Sequence, residues 1–273
     1  MSPKPATDRP ILLVGCGKMG GALLAGWRER NVAPRYVVIE PSNASPAARA
    51  DEVTVLVGPE ELPADVAPAA IVFAVKPQSL DAVAPHYRGF AGRAAFLSIA
   101  AGKTLRYFAR HLGGAAAIVR AMPNTPAAIG RGISVACAGP RVGPAERALC
   151  GALLEAVGEV AWIEDEALLD AVTAVSGSGP AYVFLLIECL AKAGVAAGLP
   201  EDLASRLARA TVAGSGELAR ISSDSAAALR EAVTSPGGTT RAALDVLMAP
   251  GGFEAILTEA VAAATRRSRE LAD

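Results

Sequence analysis

Short apolar runs alternate with stretches of helical spacing through the first 163 residues, and then the alternation stops. Runs at 11–14, 36–40, 53–57, 70–75, 95–99, 116–120, 133–136 and 160–163 predict strands. Segments 19–30 and 78–87, lying between the early runs, predict helices. Runs that are apolar throughout belong to strands buried on both faces, so the pattern predicts a mostly parallel sheet covered by helices. Beyond residue 120 the runs stand closer together, and that edge is expected to be mixed or antiparallel.

From 164 to 273 no strand pattern occurs, only Ala/Leu-rich helical spacing with brief Gly, Pro and Ser interruptions. Phe253, Ile256, Leu257, Ala260, Val261 and Ala264 recur at i, i+3, i+4 and i+7, which makes one apolar helix face. Arg266, Arg267 and Arg269 then fall on the last turns, where the helix dipole favours cations, and a solvated helix end accounts for them. The chain thus divides into an α/β part, 8–163, and an all-α part, 164–273. The helical part must bury its faces, either against its own sheet or, equally well, in a dimer of interlocked helices.

Composition changes this picture little. The chain has 273 residues, with 26 Lys+Arg against 27 Asp+Glu, and this near-neutral balance gives no electrostatic reason to expect nucleic acid or an anionic membrane. A hydrophobic content of 52% and a mean hydropathy of +0.36 are high, but much of this is alanine, the best helix former. The longest uncharged stretch, 171–187, contains Ser-Gly-Ser-Gly-Pro and falls short of a bilayer span, so no transmembrane segment is expected. The opening MSPKPATDRP has no apolar region of the kind a secretory signal needs. Cys16, Cys137, Cys150 and Cys189 show no metal-ligand spacing and suit buried reduced thiols, which points to a cytoplasmic protein.

The clearest chemistry follows the first strand. Gly15-Cys16-Gly17-Lys18-Met19-Gly20 is G-x-G-x-x-G between a strand and a helix, with Glu40 at the next strand's end. Gly15 permits the tight turn, Gly17 lets backbone approach a pyrophosphate, and Gly20 allows close packing of helix on strand. The amides at the helix start, Lys18 and Met19 among them, then face the phosphate charge. Glu40 would bond the ribose hydroxyls of NAD and repel a 2′-phosphate, which leans the site to NADH over NADPH. Ser42, Asn43 and Arg49 follow and could still accept that phosphate, and Glu40 also suits a plain helix-capping role. Three more loops sit at carboxyl ends of strands: Ala74-Val75-Lys76-Pro77, the loop holding Ala100 and Ala101, and Met122-Pro123-Asn124. An ordinary surface lysine is an equal reading of Lys76.

Two motifs interrupt the helical half, 176–182 (SGSGPAY) and 234–240 (TSPGGTT), each with the composition of a loop feeding a helix. The second joins glycine amides, hydroxyls and a helix start, which suits a small carboxylate, although interhelix turns with hydroxyl caps use the same residues. His86 and His111 stand outside every motif and are expected on the surface. No His/Asp/Ser or paired-carboxylate arrangement accompanies the Gly-rich loops, so the reaction should need little acid–base help from protein.

The motifs GCGKMGGALL, FAVKPQ, SIAAGKT, RAMPNTPAAIG, AVSGSGPAY and VTSPGGTTRAAL, in this order, resemble the pyrroline-5-carboxylate reductase family. The resemblance implies a Rossmann domain, an all-α dimerisation domain interlocked with a second copy, NADPH or NADH as cofactor, and a cyclic imine substrate. It implies that Ser235, Gly237, Gly238 and Thr239 hold the substrate carboxylate and that Thr240, the catalytic residue, bonds the ring nitrogen. Ala74, Val75, Lys76, Pro77, Ala100 and Ala101 would line the nicotinamide side. Which subunit supplies the 235–238 loop stays open, as does a ring of dimers. Two rivals stand beside this. A β-hydroxyacid dehydrogenase would use a helical lysine, and Lys192 is the only lysine after residue 164, with no Asn one turn away to help it. A non-catalytic nucleotide sensor would be expected to have lost one of the two glycine motifs, and both are intact.

Overall fold

The computed structural model describes residues 6–42 and 45–271. Eight strands form one sheet: β1 (Ile11–Val14), β2 (Tyr36–Ile39), β3 (Val53–Leu56), β4 (Ala70–Phe73), β5 (Ala95–Ser98), β6 (Ala117–Met122), β7 (Gly132–Ala138) and β8 (Gly158–Ile163). Helices are α1 (Lys18–Glu29), α2 (Leu80–Val83), α3 (Leu105–Leu112), α4 (Pro144–Glu155), α5 (Leu169–Val172), α6 (Gly179–Ala196), α7 (Glu201–Ile221), α8 (Ala226–Ala232), α9 (Thr239–Leu247) and α10 (Phe253–Leu271). Strand order is β3-β2-β1-β4-β5-β6-β7-β8. β1 to β6 run parallel, β7 is antiparallel to β6, and β8 is parallel to β7, so the expected irregular edge is mixed.

β1 shows why the early strands are apolar throughout, since all four of its residues are buried. Ile11 and Leu13 face Leu23, Leu24 and Trp27 of α1 and Cys150 and Leu153 of α4. Leu12 and Val14 face Tyr87, Phe96 and, from α3, Phe108. A wholly buried Leu or Ile stabilises by roughly 1.5–3 kcal/mol, and only a sheet covered on both faces gains that at every position. Trp27 adds a polar tie, donating its indole N–H to the Leu153 carbonyl at 2.7 Å.

Several expectations need correction. Segment 78–87 is not one α-helix but a 3-10 turn (Pro77–Ser79), the single turn α2, and a second 3-10 stretch (Ala84–Phe90). Pro85 removes an amide and crowds the preceding turn, which a regular α-helix would not absorb. The motif at 176–182 is not a loop. Residues Thr173–Gly177 form a π-helical turn, and only a bend at Ser178 separates it from α6. The small residues therefore do not end the helix, and Glu166–Ala196 is by length and composition a run apolar enough to cross a membrane, with only 6% of its most apolar window buried. The expectation of no such segment took Ser-Gly-Ser-Gly-Pro as a break.

The helical end at 265–269 is not wholly solvated. Ser268 is 7% exposed and donates to Asp170 at 2.7 Å. His111 is half-buried, its Nδ1 2.9 Å from the Tyr107 carbonyl. Cys189 is exposed, whereas the other three cysteines are buried.

The last strand ends at Ile163, where the helical part was expected to begin, yet the chain's two compact units divide at 177/178. The first also takes the end of α10, from Ala264 on, and the second comprises Ser178–Ala263. Within the second unit α6 packs on α7, where Gly194 leaves room for Ala204. Yet Val183, Phe184, Leu185, Leu186 and Leu190 of α6 remain 40–59% exposed.

Candidate dinucleotide and substrate sites

The strand order reverses between β1 and β4, and at such a switch point open α/β sheets bind ligands beyond the carboxyl ends of the strands. The glycine turn lies there. Gly15 has φ +91°, and a methyl group on it would lie 2.8 Å from Val75 Cγ1 and 2.9 Å from the Ala74 carbonyl. A methyl on Gly20 would strike the Gly15 carbonyl oxygen. These two glycines serve the fold. Gly17 differs: it is exposed and nothing lies within 4 Å of where its Cβ would be. As N-cap it offers no side chain to the first amides of α1, so those of Lys18, Met19 and Gly20 are left for an anion. Lys18 is exposed, and half-buried Met19 packs on the core.

Glu40 leaves β2 beside this turn. Its Oε2 accepts the Cys16 N–H at 2.8 Å, and its Oε1 accepts the Ser42 N–H at 3.1 Å and the Ser42 hydroxyl at 2.7 Å. The Cys16 carbonyl in turn accepts the Ser45 N–H at 3.1 Å. Burial works to raise the Glu40 carboxyl, but the bonds from Ser42 and Cys16 outweigh it and hold it below the usual value. Glu40 is therefore ionised at neutral pH. Its bonds go to the turn itself rather than to a helix end, against the capping alternative. Asn43 lies outside the described residues, and Arg49 is exposed.

The neighbouring loops leave the sheet at the same level, because the ladder continues one step past the strands. Gly15 N–H bonds the Ile39 carbonyl, Ala74 N–H that of Val14, and Ile99 N–H that of Phe73, at 2.8–3.1 Å. Ala74, Val75 and Pro77 are half-buried and Lys76 is exposed. Ala100 is buried, its N–H on Ser98 Oγ at 3.2 Å, and Ala101 is exposed. At the end of β6, Pro123 is buried and the Asn124 side-chain oxygen accepts the Ile133 N–H at 3.0 Å, which pins the start of β7. The crevice thus gathers Gly15 to Gly20, Glu40, Ser42, Ala74 to Pro77, Ala100 and Ala101, with Pro123 and Asn124 farther along the same edge.

Sequence reasoning missed one neighbour. A methyl on Gly177 would lie 2.6 Å from Met122 Cε, so the π-helical turn rests on the end of β6, beside the Pro123-Asn124 loop. Its hydroxyls turn inward, Thr173 to the Leu169 carbonyl (2.7 Å) and Ser176 to that of Val172 (3.1 Å). The run of small residues was the available signal, and reading it as a loop hid it.

In the second unit, Ser235-Pro236-Gly237-Gly238 forms a β-turn closed by Gly238 N–H on the Ser235 carbonyl at 3.1 Å. Gly237 has φ +69°, and proline followed by such a glycine is the requirement of a type II turn. Gly238 then caps α9 and, like Gly17, offers no side chain to the amides of Thr239 and Thr240. A Cβ on Gly238 would meet Ser235 Oγ, so that hydroxyl lies over the start of the helix. Thr239 is exposed and Thr240 half-buried. A cleft of about 300 Å³ lies nearby, lined by Arg230, Arg241, Leu244 and Asp245, but of this loop only Thr234 reaches it.

Residues 166–271 match the family model described as pyrroline-5-carboxylate reductase dimerisation, and residues 10–102 match one described as NADP oxidoreductase, coenzyme F420-dependent. The pyrroline-5-carboxylate reductase of Synechocystis is 42% identical over 95% of this chain and 97% of its own. That of Pseudomonas aeruginosa is 40% identical over 96% and 97%. Among solved structures, a pyrroline-5-carboxylate reductase from Coxiella burnetii has a TM-score of 0.87 at 30% identity, covering 98% of this chain and all of that one. Pyrroline carboxylate reductase from Plasmodium falciparum with NADP bound has a TM-score of 0.83 at 28% identity, covering 99% and 100%. On these matches, which run from end to end, the chain belongs to the pyrroline-5-carboxylate reductase family.

Proposed function

We propose that the chain reduces the cyclic imine Δ1-pyrroline-5-carboxylate to proline with a nicotinamide dinucleotide, in the cytoplasm. The observation that carries this reading is that one chain holds both an open glycine turn at Gly17 and a Ser235–Thr240 turn, and matches this family along its whole length. The Gly15, Gly17 and Gly20 turn and the first amides of α1 fit a pyrophosphate, and Glu40 fits a ribose. Ala74 to Pro77, Ala100 and Ala101 would flank the nicotinamide. When bound, the reduced nicotinamide supplies a hydride to the imine carbon.

The residues of the chain bind and orient. The amides of Thr239 and Thr240, with the Ser235 hydroxyl, suit the substrate carboxylate, a charge well placed at a helix N-terminus. Thr240 would hold the ring nitrogen through its hydroxyl. A protonated imine is already electrophilic, so positioning does most of the work, which accords with the want of a histidine or carboxylate dyad in these loops. The test is oxidation of NADH and NADPH by the purified protein with Δ1-pyrroline-5-carboxylate. Silence with both, in folded protein that binds nucleotide, would sink the reading.

The exposed apolar face of α6 calls for a cover, and the dimerisation match supports a second copy over lipid. Val246, Met248, Phe253 and Ile256 are also 46–72% exposed, and they offer a surface on which dimers could join into a ring. Sedimentation of Phe184→Asp tests the first contact, with loss of the dimer as the expected result.

A further inference from the structure

The sheet holds the loops at 74–77 and 100–101 level only as far as the Ile99 N–H on the Phe73 carbonyl, the last backbone bond between them among the described residues. Beyond that point each loop runs into helical structure. The first enters the 3-10 turn Pro77–Ser79 and then α2, a single turn between Pro77 and Pro85 that is too short to hold its own shape. The second enters α3, where the Thr104 hydroxyl caps the Tyr107 N–H at 3.0 Å. Side chains join the two. Tyr107, 2% exposed and edge-on to Phe108, donates its phenol O–H to Asp81 Oδ1 at 2.7 Å. A buried phenol needs a partner, and a carboxylate is a strong acceptor. His111, one turn further along α3, places Nε2 3.5 Å from the same oxygen and Nδ1 2.9 Å from the Tyr107 carbonyl. The Lys103 ammonium lies 4.5 Å from the centre of the Tyr107 ring, so the ring also supports the chain just after Ala101.

Given the dinucleotide site proposed above, we infer that Asp81 and Tyr107 are positioning residues for hydride transfer. Their hydrogen bond, backed by His111, sets the separation of the two loops between which the nicotinamide lies. It can do so because Asp81 follows closely on Pro77 and Tyr107 on Thr104, so the bond acts on each loop through a few residues of backbone. Hydride transfer needs donor and acceptor carbons at near-contact distance, and a small displacement there is costly in rate. The pyrophosphate end, at the glycine turn, does not depend on this spacing. Turnover is therefore more sensitive to the bond than nucleotide affinity is.

Kinetics of full-length variants with Δ1-pyrroline-5-carboxylate test this, using the nicotinamide nucleotide that the wild type oxidises faster, with melting temperatures as the check on folding. Tyr107→Phe keeps the ring and its packing and removes only the hydroxyl, whereas Asp81→Ala removes the acceptor. Each should lower kcat about three- to tenfold while KM and nucleotide affinity stay within about twofold of the wild type. The double variant should be no slower than the slower single one, since the same bond is broken in each. Asp81→Asn still offers an oxygen to the phenol and should keep most of the rate. Unchanged kcat in both single variants would overturn the positioning role and leave the reductase reading standing. So would losses that multiply in the double variant, a fall in nucleotide affinity as large as the fall in rate, or Asp81→Asn as slow as Asp81→Ala. A folded wild type that binds nucleotide but shows no turnover would overturn both.

Discussion

Arg120 and Glu166 form an ion pair in which Nη1 lies 2.9 Å from Oε1 and the arginine retains 6% exposure. The same carboxylate oxygen accepts the Leu105 N–H at 2.7 Å, so one side chain ties β6, the start of α3 and the approach to α5. Glu166→Ala would leave the Arg120 charge buried without its partner. A loss of about 3 kcal/mol is expected, at the lower end for buried pairs because Glu166 is partly exposed. Replacing both residues with apolar ones of similar size should cost far less. Urea denaturation of the single and double variants measures the difference, and an unchanged midpoint in Glu166→Ala would mean that Arg120 reaches water.

The two glycines at the turn should separate stability from binding. Gly15→Ala forces a side chain into a left-handed conformation and against the Ala74 backbone, at a cost of at least about 2 kcal/mol. Gly17→Ala meets nothing in the protein and should leave the melting temperature nearly unchanged, while weakening nucleotide binding about tenfold or more. Equal effects of the two changes on melting would contradict this division.

Tyr87 is fully buried and its hydroxyl has no hydrogen-bond partner among the described residues. Burial, helped by Glu60, pushes its phenol up, so it stays neutral. The ring packs edge-on against Phe73 at 5.5 Å, a contact that phenylalanine would keep. Tyr87→Phe should therefore stabilise by about 1 kcal/mol, since it removes only an unsatisfied polar atom. A lower melting temperature would reveal a partner for the hydroxyl.

Cys150 is wholly buried, and burial, with Glu146 adding to it, pushes its thiol up to about 12. An unfolded cysteine ionises near ~8.5. Above that pH the unfolded chain gains by losing a proton that the folded chain keeps, so this contribution is complete below ~8.5 and is lost as pH rises toward the folded value. Denaturation between pH 7 and 10 should show stability falling with pH, with a shallower slope in Cys150→Ala.

Thr240→Ala should lower turnover with pyrroline-5-carboxylate while leaving nucleotide affinity nearly unchanged, and Thr240→Ser should restore much of the rate. Full turnover in Thr240→Ala would remove this hydroxyl from the mechanism.

Much of this protein could be read from the chain alone, for local reasons. The early strands are visible because strands buried on both faces need apolar residues at every position, as Ile11 to Val14 do. The dinucleotide turn is visible because Gly15 and Gly20 answer to steric demands made within one strand–turn–helix unit, and the type II turn at Pro236-Gly237 is local in the same way. What tertiary structure alone decided involves partners far apart in sequence. Arg120 looks like a strand residue until Glu166 meets it 46 positions later. Ser176-Gly177-Ser178 has the composition of a loop, yet Ser176 and Gly177 stand in a helical turn packed against Met122. Glu40 and Cys16 stand 24 residues apart, and pattern could suggest an acid near the ribose but not that the glycine turn itself holds it in place. Spacing along a chain reports geometry that repeats along it, whereas a contact between distant segments exists only once the sheet has aligned the strand ends.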